Sequence, residues 1–167
     1  MARITFSPIG FALMIAGAGC SAGDALPVAS ARTLDPIAFF IGRTHGQGQL
    51  TKLLGGTTPV TVDSVGRRQS GMLVLDQRIR EGTKVSARTW TMRPTGTNLY
   101  SGTLTDATGP VSILVAGARA DIRYTMKGGV TVQQQLALQS DGATMINHLE
   151  VRKFGIRVAK LDEVIRK

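Results

Sequence analysis

From Leu34 onward, apolar residues recur at every second position far more often than at helical spacing. In VTVQQQLAL, Val130, Val132, Leu136 and Leu138 share one face, while Thr131, Gln133 and Gln135 share the other. ADIRYTMK sets Ile122, Tyr124 and Met126 against Asp121, Arg123, Thr125 and Lys127, and SGMLVLDQRIRE puts Leu73, Leu75 and Ile79 on one side. An extended chain turns successive side chains to opposite faces, so a period of two predicts strands with one buried face. Between these runs stand Glu81-Gly82, Thr95-Gly96-Thr97-Asn98, Thr108-Gly109-Pro110, Lys127-Gly128-Gly129 and Asp141-Gly142. Gly and Asn tolerate positive φ, which tight antiparallel hairpins require.

The pattern predicts strands near residues 44–53, 59–68, 71–80, 84–93, 98–105, 110–117, 119–127, 130–139, 143–153 and 156–161. Short strands joined by consecutive hairpins, with no long crossover, favour an up-and-down antiparallel β-barrel of about eight to ten strands, because closure removes the edges that template aggregation. LDPIAFFIG reads as a short helical turn over one barrel end, with Asp35 as cap and Pro36 at the first helical position. The tail VAKLDEVIRK fits two readings: Val158, Leu161, Val164 and Ile165 have helical spacing, while Leu161 and Ile165 also fit a strand.

The first 19 residues break the pattern. A front end bearing Arg3 leads into IGFALMIAGAG, an apolar run too short for a permanent transmembrane helix and interrupted upstream by Pro8. This is the layout of a targeting signal. Ala18, Gly19 and Cys20 resemble the end of a bacterial lipobox, with Gly17 where Leu is usual; cleavage before Cys20 would leave its thiol to be acylated. Two alternatives are cleavage after Ala29-Ser30-Ala31, which discards the cysteine, and an uncleaved structural thiol. The anchor is favoured because a lone thiol in an oxidising envelope invites intermolecular pairing, whereas an acylated one cannot pair. Several acyl chains such as palmitate hold a protein on a membrane where one would let go. Ser21 after the cysteine resembles lipoproteins sent to the outer membrane. Residues 20–34 then form anchor and tether, and residues 35–167 the barrel domain.

Charge narrows the partners only a little. The chain has 20 Lys and Arg against 11 Asp and Glu, a net +9, so its surface attracts polyanions of any kind. Nucleic acid is disfavoured because no strand carries the aromatic platform that single-strand binders add to a basic groove. One cysteine and two histidines about a hundred residues apart offer no metal-ligand spacing. No Gly-x-Ser-x-Gly elbow is present, GRTHGQG leads into a strand rather than a helix, and the carboxylates fall on separate elements. The expectation is a protein with no enzymatic activity and no cofactor. Arg88 and Trp90 lie two apart on one strand face, joined by Arg123 and Tyr124, which face opposite ways. Aromatic wall plus a cation suits an amphipathic ligand; an arginine stacked on tryptophan also closes a barrel end as pure structure.

The order of FFIGRTHGQGQL, GMLVLDQRIREGTKVSARTW, YSGTLTDATGPV, IRYTMKGG and NHLEVRKFGIRVAKL resembles a bacterial family catalogued as domain of unknown function 3833, over about Phe39 to Lys167. The resemblance implies a lipocalin-like antiparallel barrel in short envelope proteins, often with lipoprotein signals, and brings no established reaction. It sets Gly42, Arg88, Trp90, Tyr100, Gly102, Asp106, Gly109, Tyr124, Asn147, Lys153, Phe154 and Gly155 at the family's fixed points. Tyr100 and Asn147 thereby join Arg88, Trp90, Arg123 and Tyr124 as candidate ligand contacts. Gln77 and His148 stand where the family leads one to expect an acid and an arginine, and Gly42-Arg43-Thr44 lacks the tryptophan of true lipocalins. The leading expectation is an envelope lipoprotein, on the outer membrane facing the periplasm, whose barrel binds a small amphipathic or lipid ligand. The alternative is an envelope interaction protein with no ligand cavity, docking on anionic lipid or a partner.

Overall fold

The computed structural model describes Leu26 and residues 30–167; Cys20 and the signal segment lie outside the described residues. The alternating runs form ten strands: β1 (Gly42–Lys52), β2 (Gly56–Gln69), β3 (Met72–Glu81), β4 (Lys84–Gly96), β5 (Leu99–Leu104), β6 (Val111–Ala116), β7 (Arg119–Met126), β8 (Val130–Leu138), β9 (Thr144–Lys153) and β10 (Ile156–Arg166). Each is antiparallel to its neighbour in sequence, and β1 pairs with β10 from His45↔Arg166 to Lys52↔Ala159, closing the barrel. The up-and-down barrel expected from the hairpin pattern is therefore the fold. The ambiguous tail is a strand as far as Arg166, because β10 is the closing member and its backbone is paired on both sides.

Alternation decides what fills the interior. Leu73, Leu75, Trp90, Met92, Leu104, Val111, Ile113, Ile122, Tyr124, Val132, Leu136, Met145 and Ile165 are buried in one continuous core. A helical turn, α1 (Pro36–Phe40), covers one end. The Asp35 carboxylate accepts from the Ile37 and Ala38 amides at 2.9 and 3.0 Å, and Pro36 occupies the first turn, where its missing N–H costs nothing. Ile37, Phe39 and Phe40 drive the turn into the core, and Gly66 on β2 lets it approach: a Cβ there would fall 1.8 Å from the Phe40 carbonyl oxygen. Leu34, just ahead of the turn, is buried too, its amide donating to the Gly117 carbonyl at 2.8 Å.

The other end, where β1 meets β2 and β9 meets β10, has no such cover. Ile79, Leu50 and Leu161 point inward by their register yet are only half-buried, and inward-facing Ser86 is exposed. The barrel is thus plugged by α1 at its base and opens at a mouth formed by the hairpins of the opposite end.

Candidate functional site

Four strands break their apolar inner face with a single polar residue. Gln77 stands between Leu75 and Ile79, Gln134 between Val132 and Leu136, Asn147 between Met145 and Leu149, and Glu163 between Leu161 and Ile165. Cross-strand register brings them together: Ser64 pairs with Gln77, Gln77 with Arg88, and Asn147 with both Leu136 and Glu163. The result is a polar belt around the lumen, above an apolar floor that includes Phe40, Leu75, Met92, Leu136 and Ile165. A cavity of about 40 Å³ lies within this lining. At roughly 10–15 Å³ per water, that holds about three waters or a small polar group.

One side of the belt is a connected network. Gln77 Nε2 donates to Ser64 Oγ at 3.1 Å, and its Oε1 accepts from Arg88 Nε at 2.9 Å and Trp90 Nε1 at 2.7 Å. The Arg88 guanidinium carbon lies 5.4 Å from the Trp90 ring centroid, and Trp90 meets Tyr124 edge to face at 5.5 Å. Such an aromatic pair contributes about 1 kcal/mol beyond its burial. Burial raises the Tyr124 phenol above its ordinary value, while the Arg88 charge pulls it down. None of the ion pairs formed among the described residues involves Arg88, so this half-buried cation faces the lumen with no carboxylate in direct contact, although its charge reaches Glu163 across the same lining.

The other side is under-satisfied. Asn147 Nδ2 donates to Glu163 Oε2 at 2.7 Å, but Asn147 Oδ1, Glu163 Oε1 and Gln134 Oε1 are buried with no partner among the described residues, as is Thr44 Oγ1 on β1. Leaving a buried polar atom unpaired costs about 1–3 kcal/mol, and this cluster contains several such atoms. Glu163 is 5 % exposed. Its burial pushes the carboxyl above the ordinary carboxylate value, against the Asn147 hydrogen bond and the charges of Arg88 and His45. Gly46 and Gly48 make room for it: a Cβ on Gly46 would fall 1.9 Å from Glu163 Oε1, and one on Gly48 2.4 Å from the Asp162 carbonyl. Of the glycines in GRTHGQG, Gly46 therefore admits the Glu163 carboxylate into the lumen, and Gly48 lets the β10 backbone approach.

Of the residues singled out from the sequence, Arg88, Trp90 and Asn147 line the cavity and Tyr124 supports Trp90. Tyr100 points inward but packs half-buried against the core, its phenol raised by burial and by the Asp35 charge. Arg123 does not belong to the site. It is exposed on the outer wall, because one step of register separates it from Tyr124. Gln77, Gln134, Ser64 and Glu163 were not singled out as ligand contacts, although each is a polar residue in the apolar phase of its strand. Both histidines sit on the outer wall, His45 Nδ1 at 2.7 Å from Asp63 and His148 Nδ1 at 2.6 Å from Asp162. No group of three His, Cys, Asp or Glu side chains among the described residues is placed to hold a metal ion.

Fold and site together define a closed ten-stranded barrel with a plugged base, an open mouth and a polar belt in its lumen. The chain belongs to the family described as protein of unknown function (DUF3833), whose pattern matches residues 14–167. No curated protein matches the chain.

Proposed function

We propose that the barrel holds the polar end of an amphipathic molecule, its anionic group on Arg88 and its hydroxyl or ammonium donors on the oxygens of Gln134, Asn147 and Glu163. The observation that carries this reading is the presence, in one lumen, of Arg88 with no direct ion pair and of buried acceptors without donors among the described residues. A purely structural belt would be expected to satisfy itself, as the Ser64–Gln77–Trp90 side does. The size of the cavity limits what enters: a head group or its leading atoms, with the chain leaving along the apolar mouth wall of Leu50, Ile79 and Leu161.

In this reading the protein is an envelope lipoprotein held through acylated Cys20, with the barrel beside the membrane that supplies the ligand. The intact mass of the mature protein from its host tests the anchor. Trp90, the single tryptophan, lies on the cavity wall and reports on the lumen. Titration with a lysophospholipid below its micelle threshold is expected to shift Trp90 emission saturably, and Arg88→Ala to weaken the response by about tenfold or more, the loss of one charge-assisted contact. A parent protein that gives no saturable response to anionic or zwitterionic amphiphiles would refute the ligand reading.

A further inference from the structure

Large apolar side chains stand out in solvent at two hairpin tips. Leu54 is 98 % exposed and Leu53 63 % at the β1–β2 turn; Phe154 is 89 % exposed and Ile156 61 % at the β9–β10 turn. The tips are neighbours, since β1 and β10 are paired and the Leu53 amide donates to the Val158 carbonyl at 2.9 Å. Both lie at the mouth, away from α1. The other mouth turns, at Gly82-Thr83, Thr105–Pro110 and Lys127–Gly129, carry no large exposed apolar residue.

Phe154 is also held in an unfavourable conformation. Its φ is +51°, in the left-handed region where Asn or Gly is at ease and a bulky side chain is an outlier. The ring stands out in solvent, with the Lys153 ammonium 5.6 Å from its centroid. Nothing within the fold accounts for a phenylalanine there. Basic side chains flank the tips: Lys52, Arg152, Lys153 and Arg157, with Lys84 and Lys127 further round the rim. Glu81 pairs with Lys52, and Glu150 with Arg152 and Arg157; together with Asp106 these acids leave the rim net positive.

We infer that the two tips form a membrane-docking edge that inserts Leu53, Leu54, Phe154 and Ile156 into the acyl boundary of an anionic bilayer, turning the barrel mouth toward the lipid. Apolar side chains projecting beyond a basic rim match the layering of such a surface, where phosphates lie above the hydrocarbon. The docking edge is independent of whether the lumen binds a ligand, and it fixes which end of the barrel faces the bilayer.

The test is depth-resolved quenching of the full chain bearing Phe154→Trp, on vesicles containing phosphatidylglycerol with brominated acyl chains. The buried Trp90 of the parent supplies the background. Emission above that background is expected to fall by about half on anionic vesicles and much less on phosphatidylcholine alone. Leu114→Trp, exposed on the outer wall of β6, serves as control and is expected to stay unquenched. If the tryptophan at 154 is no more quenched than the control while the chain sediments with the vesicles, the docking edge is refuted and a protein partner becomes the occupant to seek. The parallel variant Phe154→Asn suits the left-handed turn and keeps the fold, so weaker binding to anionic vesicles by that variant supports the edge, and unchanged binding counts against it.

Discussion

The carboxylate of Glu163 occupies the space that any side chain at Gly46 would need: a Cβ at Gly46 would lie 1.9 Å from Glu163 Oε1 and 2.8 Å from its carboxyl carbon. A buried acid and a glycine on the adjacent strand are thus one feature of the lumen. Gly46→Ala must expel the Glu163 side chain from its hydrogen bond with Asn147, and we expect destabilisation of about 1–3 kcal/mol, read from urea midpoints. Combining it with Glu163→Ala should recover much of that loss, because the clash disappears. Gly48→Ala should not be rescued in the same way, since its Cβ would meet the Asp162 backbone carbonyl.

The same carboxyl makes stability depend on pH. Its folded-state pKa is raised by burial, so the folded protein retains a proton that the unfolded chain has released. The sign follows: its contribution is fully present below the ordinary carboxylate value and is lost as pH rises through the raised folded-state value. Glu163→Gln, which cannot ionise, should match the parent in stability at about pH 3.5 and exceed it at about pH 8, read as a higher Tm of the variant at the higher pH only. Equal stability of the two proteins at both pH values would contradict the burial of an uncompensated carboxyl.

Gln77 is the hub of the opposite wall, its carbonyl shared by Arg88 and Trp90. Gln77→Leu should remove the acceptor for both, leave the Trp90 N–H unpaired in a buried place and cost about 2 kcal/mol in chemical denaturation. Gln77→Glu keeps an acceptor and adds an anion beside Arg88. It should retain the fold yet abolish the amphiphile response of Trp90, because the cation would then be neutralised from within.

Phe154→Asn separates stability from surface function. Asn adopts the left-handed region more readily than an aromatic residue, so the variant should be as stable as the parent or more stable by about 0.5–1 kcal/mol in a thermal melt. A marked loss of stability would mean that the Phe154 ring is packed rather than free.

Much of this barrel is legible in the residue pattern, for a definite reason. Strands with one buried face alternate, and glycine or asparagine marks the hairpins, so the ten elements emerge locally, and even the short cap at Asp35-Pro36 follows from its own two residues. The polar belt is visible in the same alternation: Gln77, Gln134, Asn147 and Glu163 each take an inward position between apolar neighbours. Only Asn147 was reached, and that through family resemblance. Arg123, one register step from Tyr124, points to the outer wall, as the opposite faces of the two residues imply. What lies beyond local reading is the pairing between distant segments. That Glu163 packs over Gly46, more than a hundred residues away, follows from the β1–β10 register, which is set when the sheet closes rather than by either strand alone. The same closure turned the tail, equally compatible with helix spacing, into a strand.

In the proposed function the lumen receives the polar end of an amphipathic molecule between Arg88 and Glu163. This is tested most directly by native mass spectrometry of the full chain released gently from host membranes, set against Arg88→Ala prepared in parallel. An additional mass is expected on the parent, identified after extraction as an amphiphile with an anionic group, together with its loss from the variant. A parent that is uniformly unliganded, or an adduct retained undiminished by Arg88→Ala, would contradict it.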